Sequence, residues 1–258
     1  MLKHGHRRTK ADTGLSARTV TKTLTVLTTA LEDALREGAI TRNVAALVVR
    51  PTYIPPEMST WTEGDVASFL KEVQDDFNYV AWLLALYGLR RGEVLGLRWS
   101  DVDFEAKVII IRWSRTSPDG VKVVEGEPKT RKGFRTLPMD DTLHKALWAL
   151  WESDAPCNPC TICSELHVVL DRSGDPRRPA WMTERFQELV LRLGLPLIRL
   201  HDLRHTVGTL MHLLNVPTAV IAAWLGHASA AFTLKQYVHS QDPALLAAGV
   251  TWTSKLAV

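Results

Sequence analysis

Apolar residues recur every three or four positions along much of this chain, which is the pattern of helices that bury one face. The first such stretch predicts a helix from Ser16, a candidate N-cap, to about Glu37, with Gly38 ending it. After Asn43 a shorter helix is predicted that stops before Pro51. The stripe expected to be buried on the first helix consists of Val20, Leu24, Leu27, Leu31 and Leu35.

The pattern then changes at residues 51–60 (PTYIPPEMST), where three prolines indicate a linker between two domains. Beyond it, Thr62 and Asp65 form a start that resembles a capping box, and residues 79–87 are apolar on all sides, as in a buried helix. The expected fold class is mainly α with a small antiparallel β-sheet (α+β). The predicted strands cover residues 107–113, 121–125 and 134–138, and the further helices cover 140–151, 182–193, 202–214 and 218–225.

Composition alters this picture mainly through the distribution of charge. The 258 residues are 46% hydrophobic and 23% charged, as in an ordinary globular protein, and the net charge is only +3. Residues 1–50 nevertheless hold nine Lys and Arg against four acidic residues, and residues 112–135 hold seven against three. Two basic segments fit surfaces that grip a phosphate backbone, although on charge alone solvated surface charge is the favoured explanation.

Neither a secretory signal nor a membrane span is expected. The first residues are polar and basic, and the apolar run at residues 79–89 is too short to cross a bilayer. A cytoplasmic, nucleoid-associated protein of a bacterium without a membrane partner is therefore the expectation.

Three cysteines and one histidine lie close together in a single loop. Four such side chains could bind zinc, but ligands packed this closely along the chain strain a tetrahedral site. An incidental cysteine-rich loop is the favoured interpretation, and zinc binding and a redox switch are the alternatives. The residues are Cys157, Cys160, Cys163 and His167.

The stretch from His201 to Tyr237 groups residue types that suit attack on a phosphodiester. His201 and Arg204 are three positions apart and share a helix face. Gly226 is a candidate C-cap, which leaves His227 at a helix end ten residues before Tyr237. A phenol has a pKa of about 10 and is a poor nucleophile unless a base takes its proton and cations stabilise the anion. The histidines and the arginine can supply both.

Three motifs in this order resemble the tyrosine recombinases of the phage integrase family. HDLRHT at residues 201–206, the following LGH and then Tyr237 resemble the second motif box of that family. YGLRRGEVLGLRWSDVD at 87–103 resembles the first box, and PKTRKGFRTLP at 128–138 resembles the β-hairpin that carries a lysine. Each motif alone is weak, but all of them in order are specific. The resemblance covers about residues 15–240.

The resemblance implies a domain organisation and an activity. Residues 61–258 would form the catalytic domain, residues 51–60 the linker, and residues 1–50 the latter part of a helical core-binding domain that is truncated at its N-terminus. The implied enzyme is a site-specific recombinase that cuts and rejoins double-stranded DNA through a 3′-phosphotyrosyl intermediate. A homotetramer on paired sites and an accessory DNA-bending or directionality protein are the implied partners.

The family's site maps residue by residue onto this sequence, with Tyr237 as the nucleophile. Guanidinium forks suit the non-bridging phosphate oxygens because each fork binds two oxygens at once. No metal and no cofactor are expected, since cationic side chains do the electrostatic work of divalent ions. The implied residues are Arg90 and Arg204 for the clamp, Glu93 to orient Arg90, Lys129 as general acid, His201 as proton acceptor or phosphate ligand, and His227 as donor to a non-bridging oxygen.

Several alternatives stay open on the sequence. Arg131 or Lys132 could act in place of Lys129. A type IB topoisomerase or a telomere resolvase shares the same chemistry. The missing start of the core-binding domain motivates a third possibility, a catalytically inactive DNA-binding remnant of a prophage. A zinc-dependent phosphoesterase built on the cysteine cluster is the least favoured.

Overall fold

A computed structural model describes residues 14–53, 59–128, 133–154 and 165–227, together with Ser229, Ala231 and Thr233. The chain divides into two compact units, residues 1–57 and 58–258, and each unit is described by itself. Within the described ranges, no helix has the length and apolar content that a membrane crossing requires.

The first unit is built on helix α1 (Ala17–Arg36). Ser16 caps it as predicted, its side chain accepting from the Thr19 N–H at 3.2 Å. The segment after Asn43 forms a 3₁₀ helix (Val44–Leu47), and the Asn43 amide donates to the Thr28 carbonyl at 3.0 Å. An element this short covers only part of α1. The prediction that the whole apolar stripe of α1 is buried is therefore wrong. Val20 is buried, Leu24, Leu31 and Leu35 are half-buried, and Leu27 is 47% exposed.

The second unit begins with α2 (Glu63–Glu72), which the predicted capping box starts. The Asp65 carboxylate accepts the Thr62 N–H at 2.9 Å, and Thr62 accepts the Asp65 N–H at 3.2 Å. The apolar run forms α3 (Tyr79–Leu86), whose residues from 80 to 85 are buried as expected. The remaining helices are α4 (Arg91–Gly96), α5 (Asp141–Asp154), α6 (Pro179–Leu193), α7 (Leu200–Leu213) and α8 (Thr218–Leu225).

The strands form two small antiparallel sheets rather than the single predicted one. The strands are β1 (Val102–Asp103), β2 (Val108–Ile111), β3 (Ser114–Thr116), β4 (Val124–Gly126) and β5 (Arg135–Pro138). One sheet has the order β1-β2-β5, and the other is a separate pair, β3-β4. The predicted strand at 107–113 ends at Ile111, because its partner strand β5 begins at Arg135, directly opposite Ile111. The chain then enters β3, a strand that the sequence did not predict.

An aromatic cluster forms the centre of the core of the second unit. Trp61 lies 5.2 Å from Phe69 and 5.6 Å from Phe186, measured between ring centroids, and Trp82 lies 5.9 Å from Phe69. All four side chains are at most 2% exposed. Burial of one such ring stabilises the fold by about 1.5–3 kcal/mol. The cluster joins α2, α3 and α6 into one scaffold, and the predicted fold class is confirmed.

Candidate active site

The turn between α3 and α4 delivers Arg90. Gly88 has a φ of +84°, and a Cβ there would lie 2.6 Å from the Leu225 side chain, so the turn requires glycine. Arg90 is the N-cap of α4, and Glu93 reaches back to accept its N–H at 2.8 Å. The same carboxylate accepts from the Arg90 guanidinium at 2.6 Å. Glu93 thus contacts both the backbone and the side chain of Arg90.

Two glycines let α4 lie directly against β3. A Cβ on Gly92 would meet the Ser114 side chain and would lie 3.0 Å from the Arg115 carbonyl oxygen. A Cβ on Gly96 would lie 3.0 Å from the Trp113 carbonyl carbon. Because backbone cannot move away as a side chain can, both positions need glycine. This close approach fixes the helix that carries Glu93.

Helix α7 presents His201 and Arg204 one turn apart. Asp202, at its first turn, accepts the Arg199 N–H at 2.8 Å and the Arg199 side chain at 2.9 and 2.8 Å. Arg204 is only 2% exposed and donates to the Gly88 carbonyl at 2.7 Å and to the Leu225 carbonyl. The buried arginine thus ties α7 to the Arg90 turn and to the end of α8.

The C-terminal end of α8 gathers three arginines. Gly226 caps the helix in the left-handed conformation, as predicted, with φ 63° and ψ 45°. The last carbonyls of a helix have no partner within it and form the negative end of its dipole. Each of three consecutive carbonyls accepts from a different guanidinium. Arg135 donates to Trp224 at 2.7 Å, Arg204 to Leu225, and Arg90 to Gly226 at 3.0 Å.

His227 follows this helix end and is buried. Its Nδ1 lies 2.8 Å from the Thr233 hydroxyl. Burial, with the positive charges of Arg204 and Arg90 adding to it, lowers the His227 pKa to about 4. The imidazole is therefore neutral at neutral pH.

His201 lies at the exposed edge of the same site. Partial desolvation and the charge of Arg204 lower its pKa below the ordinary value. His205 packs edge-on against it with ring centroids 5.0 Å apart, and burial followed by the charge of His201 lowers the His205 pKa to about 4. A neutral His201 is suited to accepting a proton.

Glu93 carries its charge in the interior. Burial by itself would raise its pKa, but the hydrogen bonds and charges of Arg135 and Arg90 outweigh burial and hold the Glu93 pKa below its usual value. Arg135 is a residue that the sequence reasoning passed over. The strand pattern could have indicated it. Side chains alternate along a strand, so Arg135 lies on the same face of β5 as the buried Leu137 and points towards the interior.

Residues 62–243 match the model of the phage integrase family. The chain belongs to this family. A tyrosine recombinase XerC-like protein of Caldanaerobacter subterraneus subsp. tengcongensis is 24% identical over 247 residues, and the ICEBs1 integrase of Bacillus subtilis is 27% identical over 238. Each match covers 88% of this chain and 63% of the relative, so the chain spans less than two thirds of the length of these relatives.

Solved structures share the fold. The Tn1549 transposon integrase, in complex with circular intermediate DNA, superposes with a TM-score of 0.73 at 25% identity, covering 94% of this chain and 81% of that chain. The XerA recombinase superposes with a TM-score of 0.59 at 20% identity, covering 90% and 75%. The architecture of this integrase-family chain is thus that of its relatives.

The structure brings together five of the seven predicted site residues, namely Arg90, Glu93, His201, Arg204 and His227. Lys129 and Tyr237 lie outside the described residues, as do Arg131 and Lys132, which were the alternatives to Lys129. The described ends of the Lys129 segment meet, because a Cβ on Gly133 would overlap the ring of Pro128.

Of the cysteine-rich cluster, Cys157, Cys160 and Cys163 are likewise outside the described part of the chain. His167 is described, and its Nε2 lies 3.0 Å from the Glu125 carboxylate. Among the described residues, no three His, Cys, Asp or Glu side chains are grouped so that they could hold a metal ion.

Proposed function

We propose that this chain is a site-specific DNA recombinase that cleaves and rejoins strands through a 3′-phosphotyrosyl intermediate. The observation that carries the proposal is the convergence of Arg90, Arg204 and His227 on the end of α8, with His201 beside them. Membership of the phage integrase family supports it, and so does the DNA-bound state of the related Tn1549 integrase.

The proposed step is a transesterification at phosphorus. The phenolic oxygen of Tyr237 bonds to the scissile phosphorus, and the bond from phosphorus to the 5′-oxygen breaks. His201 accepts the phenolic proton, and Lys129 gives a proton to the departing 5′-oxygen. The energy of the ester is retained, so a 5′-hydroxyl from a partner duplex can reverse the step without ATP.

The arginines are assigned to the charge that develops on the non-bridging oxygens. A guanidinium stays protonated and presents a planar fork to two oxygens. The Arg90 side chain is 40% exposed, which leaves it accessible to a phosphate. Loss of one preorganised donor of this kind costs about 10²–10³ in rate.

The two histidines receive different roles because their surroundings differ. His201 reaches the surface, where it can accept the phenolic proton. His227 is buried and neutral, and its role as a donor requires the tautomer with hydrogen on Nε2, since Nδ1 lies 2.8 Å from the Thr233 hydroxyl. That N–H is assigned to a non-bridging oxygen.

We extend the proposal to the organisation of the whole protein. Residues 1–50 act as part of a core-binding domain that clamps DNA, and residues 51–60 act as the linker to a catalytic domain at 61–258. Double-stranded DNA is the substrate, and a homotetramer assembles on paired sites with an accessory DNA-bending or directionality protein. The protein works in the bacterial cytoplasm, associated with the nucleoid.

Covalent trapping tests the proposal. The full chain is mixed, in EDTA, with nicked duplexes tiled from the DNA that flanks its own gene, and the mixture is denatured in SDS. We expect a protein–DNA band with the wild type and none with Tyr237→Phe. Tyr53→Phe, at an exposed tyrosine of the first unit, is the matched control and keeps the band.

The other outcomes separate the alternatives. A band that survives Tyr237→Phe would identify another nucleophile. No band from any duplex, with DNA binding retained, would favour the inactive prophage remnant. Relaxation of one supercoiled duplex without joining of two would favour a type IB topoisomerase.

A further inference from the structure

Arg135 stands behind the proposed phosphate clamp rather than in it. Its side chain is 7% exposed, against 40% for Arg90. All three of its guanidinium nitrogens donate to protein acceptors, in four described hydrogen bonds. Its partners are the Glu93 carboxylate, the Trp224 carbonyl of α8 and the Gly133 carbonyl.

The pairing with Glu93 is bidentate. Arg135 donates to one carboxylate oxygen at 3.1 Å and to the other at 2.9 Å, while Arg90 donates to the first oxygen at 2.6 Å. Two guanidinium groups thus share one carboxylate, and the three side chains together carry a net charge of +1. Without Arg135, Arg90 and Glu93 would form a neutral pair. The shared arrangement therefore leaves a net positive charge beside the proposed phosphate site.

The remaining bonds of Arg135 connect three parts of the site. Arg135 opens β5, its Nε binds the Trp224 carbonyl at 2.7 Å, and one terminal nitrogen binds the Gly133 carbonyl at 3.2 Å. Trp224 lies three residues before His227, and Gly133 lies four residues after Lys129. One buried guanidinium therefore contacts the helix end that carries His227, the carboxylate that orients Arg90 and the returning end of the Lys129 segment.

We propose that Arg135 is a positioning residue for DNA cleavage, which holds Arg90 correctly placed by sharing Glu93 with it and by anchoring the end of α8. This inference rests on the proposed function, since the reaction that it serves is strand cleavage. A misplacement of about 1 Å in a reacting group costs about 10² in rate. Arg135→Gln should accordingly slow cleavage without changing DNA binding.

The test compares two nicked duplexes that carry the site found by trapping. They differ only at the scissile phosphorus, which is a phosphodiester in one and a methylphosphonate in the other. The methylphosphonate lacks one charged non-bridging oxygen, so its cleavage depends less on the positive charge of Arg90. On the phosphodiester we expect Arg135→Gln to slow single-turnover adduct formation about 10²-fold. On the methylphosphonate we expect the loss to shrink to about 10-fold or less.

A matched control separates positioning from stability. Arg112 also binds a buried carboxylate, that of Asp101, and its side chain is 43% exposed. Arg112→Gln breaks a comparable ion pair away from the clamp, so both duplexes should lose the same factor. Equal losses on both duplexes for Arg135→Gln, or no loss, would overturn the inference.

A second variant keeps the proposal testable if Arg135→Gln does not fold. Arg135→Lys retains the charge but loses the bidentate fork, so it should give a smaller loss with the same dependence on the substrate. Combined with Arg90→Lys it should cost little more than Arg90→Lys alone, because the two residues act as one unit. Full additivity of the two losses would overturn the inference.

The same gels show which claim fails. A wild-type chain that forms no adduct overturns the proposed function, and the role of Arg135 falls with it. A wild-type adduct that Tyr237→Phe abolishes, together with an Arg135→Gln variant that cleaves at the wild-type rate, overturns the role of Arg135 alone.

Discussion

The end of α8 and the helix α1 hold their charged side chains in opposite ways. At the end of α8, Glu93 is 3% exposed and pairs with two arginines, one of which is also buried. On α1, Asp33 pairs with Arg36 at the same i,i+3 spacing, but these side chains are 55% and 69% exposed. The chemistry of the two pairs is alike, and only their surroundings differ.

The difference teaches where single changes matter. A buried carboxylate has lost its water, so it depends on its protein partners. The two charges of an exposed pair stay hydrated when the pair is broken, so its loss costs little. The end of α8 should therefore respond to substitution with large losses of stability and activity. Substitutions in the first unit should change the free energy of unfolding only slightly. Their effect should instead be on the salt dependence of DNA affinity.

The largest effect is expected for Glu93→Gln. This change leaves Arg135 buried without its counter-charge, so we expect a loss of about 3–5 kcal/mol in the free energy of unfolding. Urea denaturation of the full chain measures it. The matched change in the first unit, Asp33→Asn, should cost at most about 1 kcal/mol. Similar losses for the two variants would break the comparison.

The next effect is a pH dependence of stability that belongs to the second unit. His205 and His227 have pKa values of about 4 in the folded chain, mainly because of burial, against about 6.5 when unfolded. Between these values the unfolded chain binds protons that the folded chain does not, so stability falls as pH drops from about 6.5 towards 4.

The slope should reach up to about 1.4 kcal/mol per pH unit for each histidine. Urea midpoints between pH 7 and pH 5 measure this slope, and His227→Gln should reduce it. Residues 14–53 contain no histidine and should not contribute to it. A slope that His227→Gln leaves unchanged would assign the effect to other groups.

A smaller effect is expected where α4 meets β3. Gly92→Ala forces a Cβ against the Arg115 carbonyl, so we expect a loss of about 1–3 kcal/mol. Gly64→Ala is the matched control within a helix, because its Cβ would meet only Thr62 Oγ1 at 3.7 Å. That variant should be more stable than the wild type by about 0.5–1 kcal/mol. Thermal unfolding of both variants measures whether each change lowers or raises the stability.

The smallest change in stability is expected in the first unit. Lys22 and Arg42 are exposed, and their replacement by Gln should alter stability by no more than about 0.5 kcal/mol. If this unit grips phosphates, each replacement should lower the slope of log affinity against log salt by about 0.9. Binding to a duplex of random sequence over a salt series measures it. Glu37→Gln, also exposed, is the control that should not lower the slope.

Much of the fold was predictable because the ends of helices are determined by residues that are close together in the sequence. The Thr62 and Asp65 capping box, the Ser16 cap and the left-handed Gly226 each depend on residues within one turn, and all three are present in the structure. The strands were less predictable, since the separation of β3-β4 from the other sheet depends on the close approach of β3 to α4.

The sequence by itself determined the family, several helix ends and the candidate site residues, because motifs and caps are short-range patterns. Only the tertiary structure decided that Arg90, Arg135 and Arg204 meet at three consecutive carbonyls of one helix end. These contacts join residues between 21 and 136 positions apart in the chain. The tertiary structure also decided that Arg90 faces solvent while Arg135 is buried beside Glu93, because a carboxylate removed from water must find its partners in the folded chain.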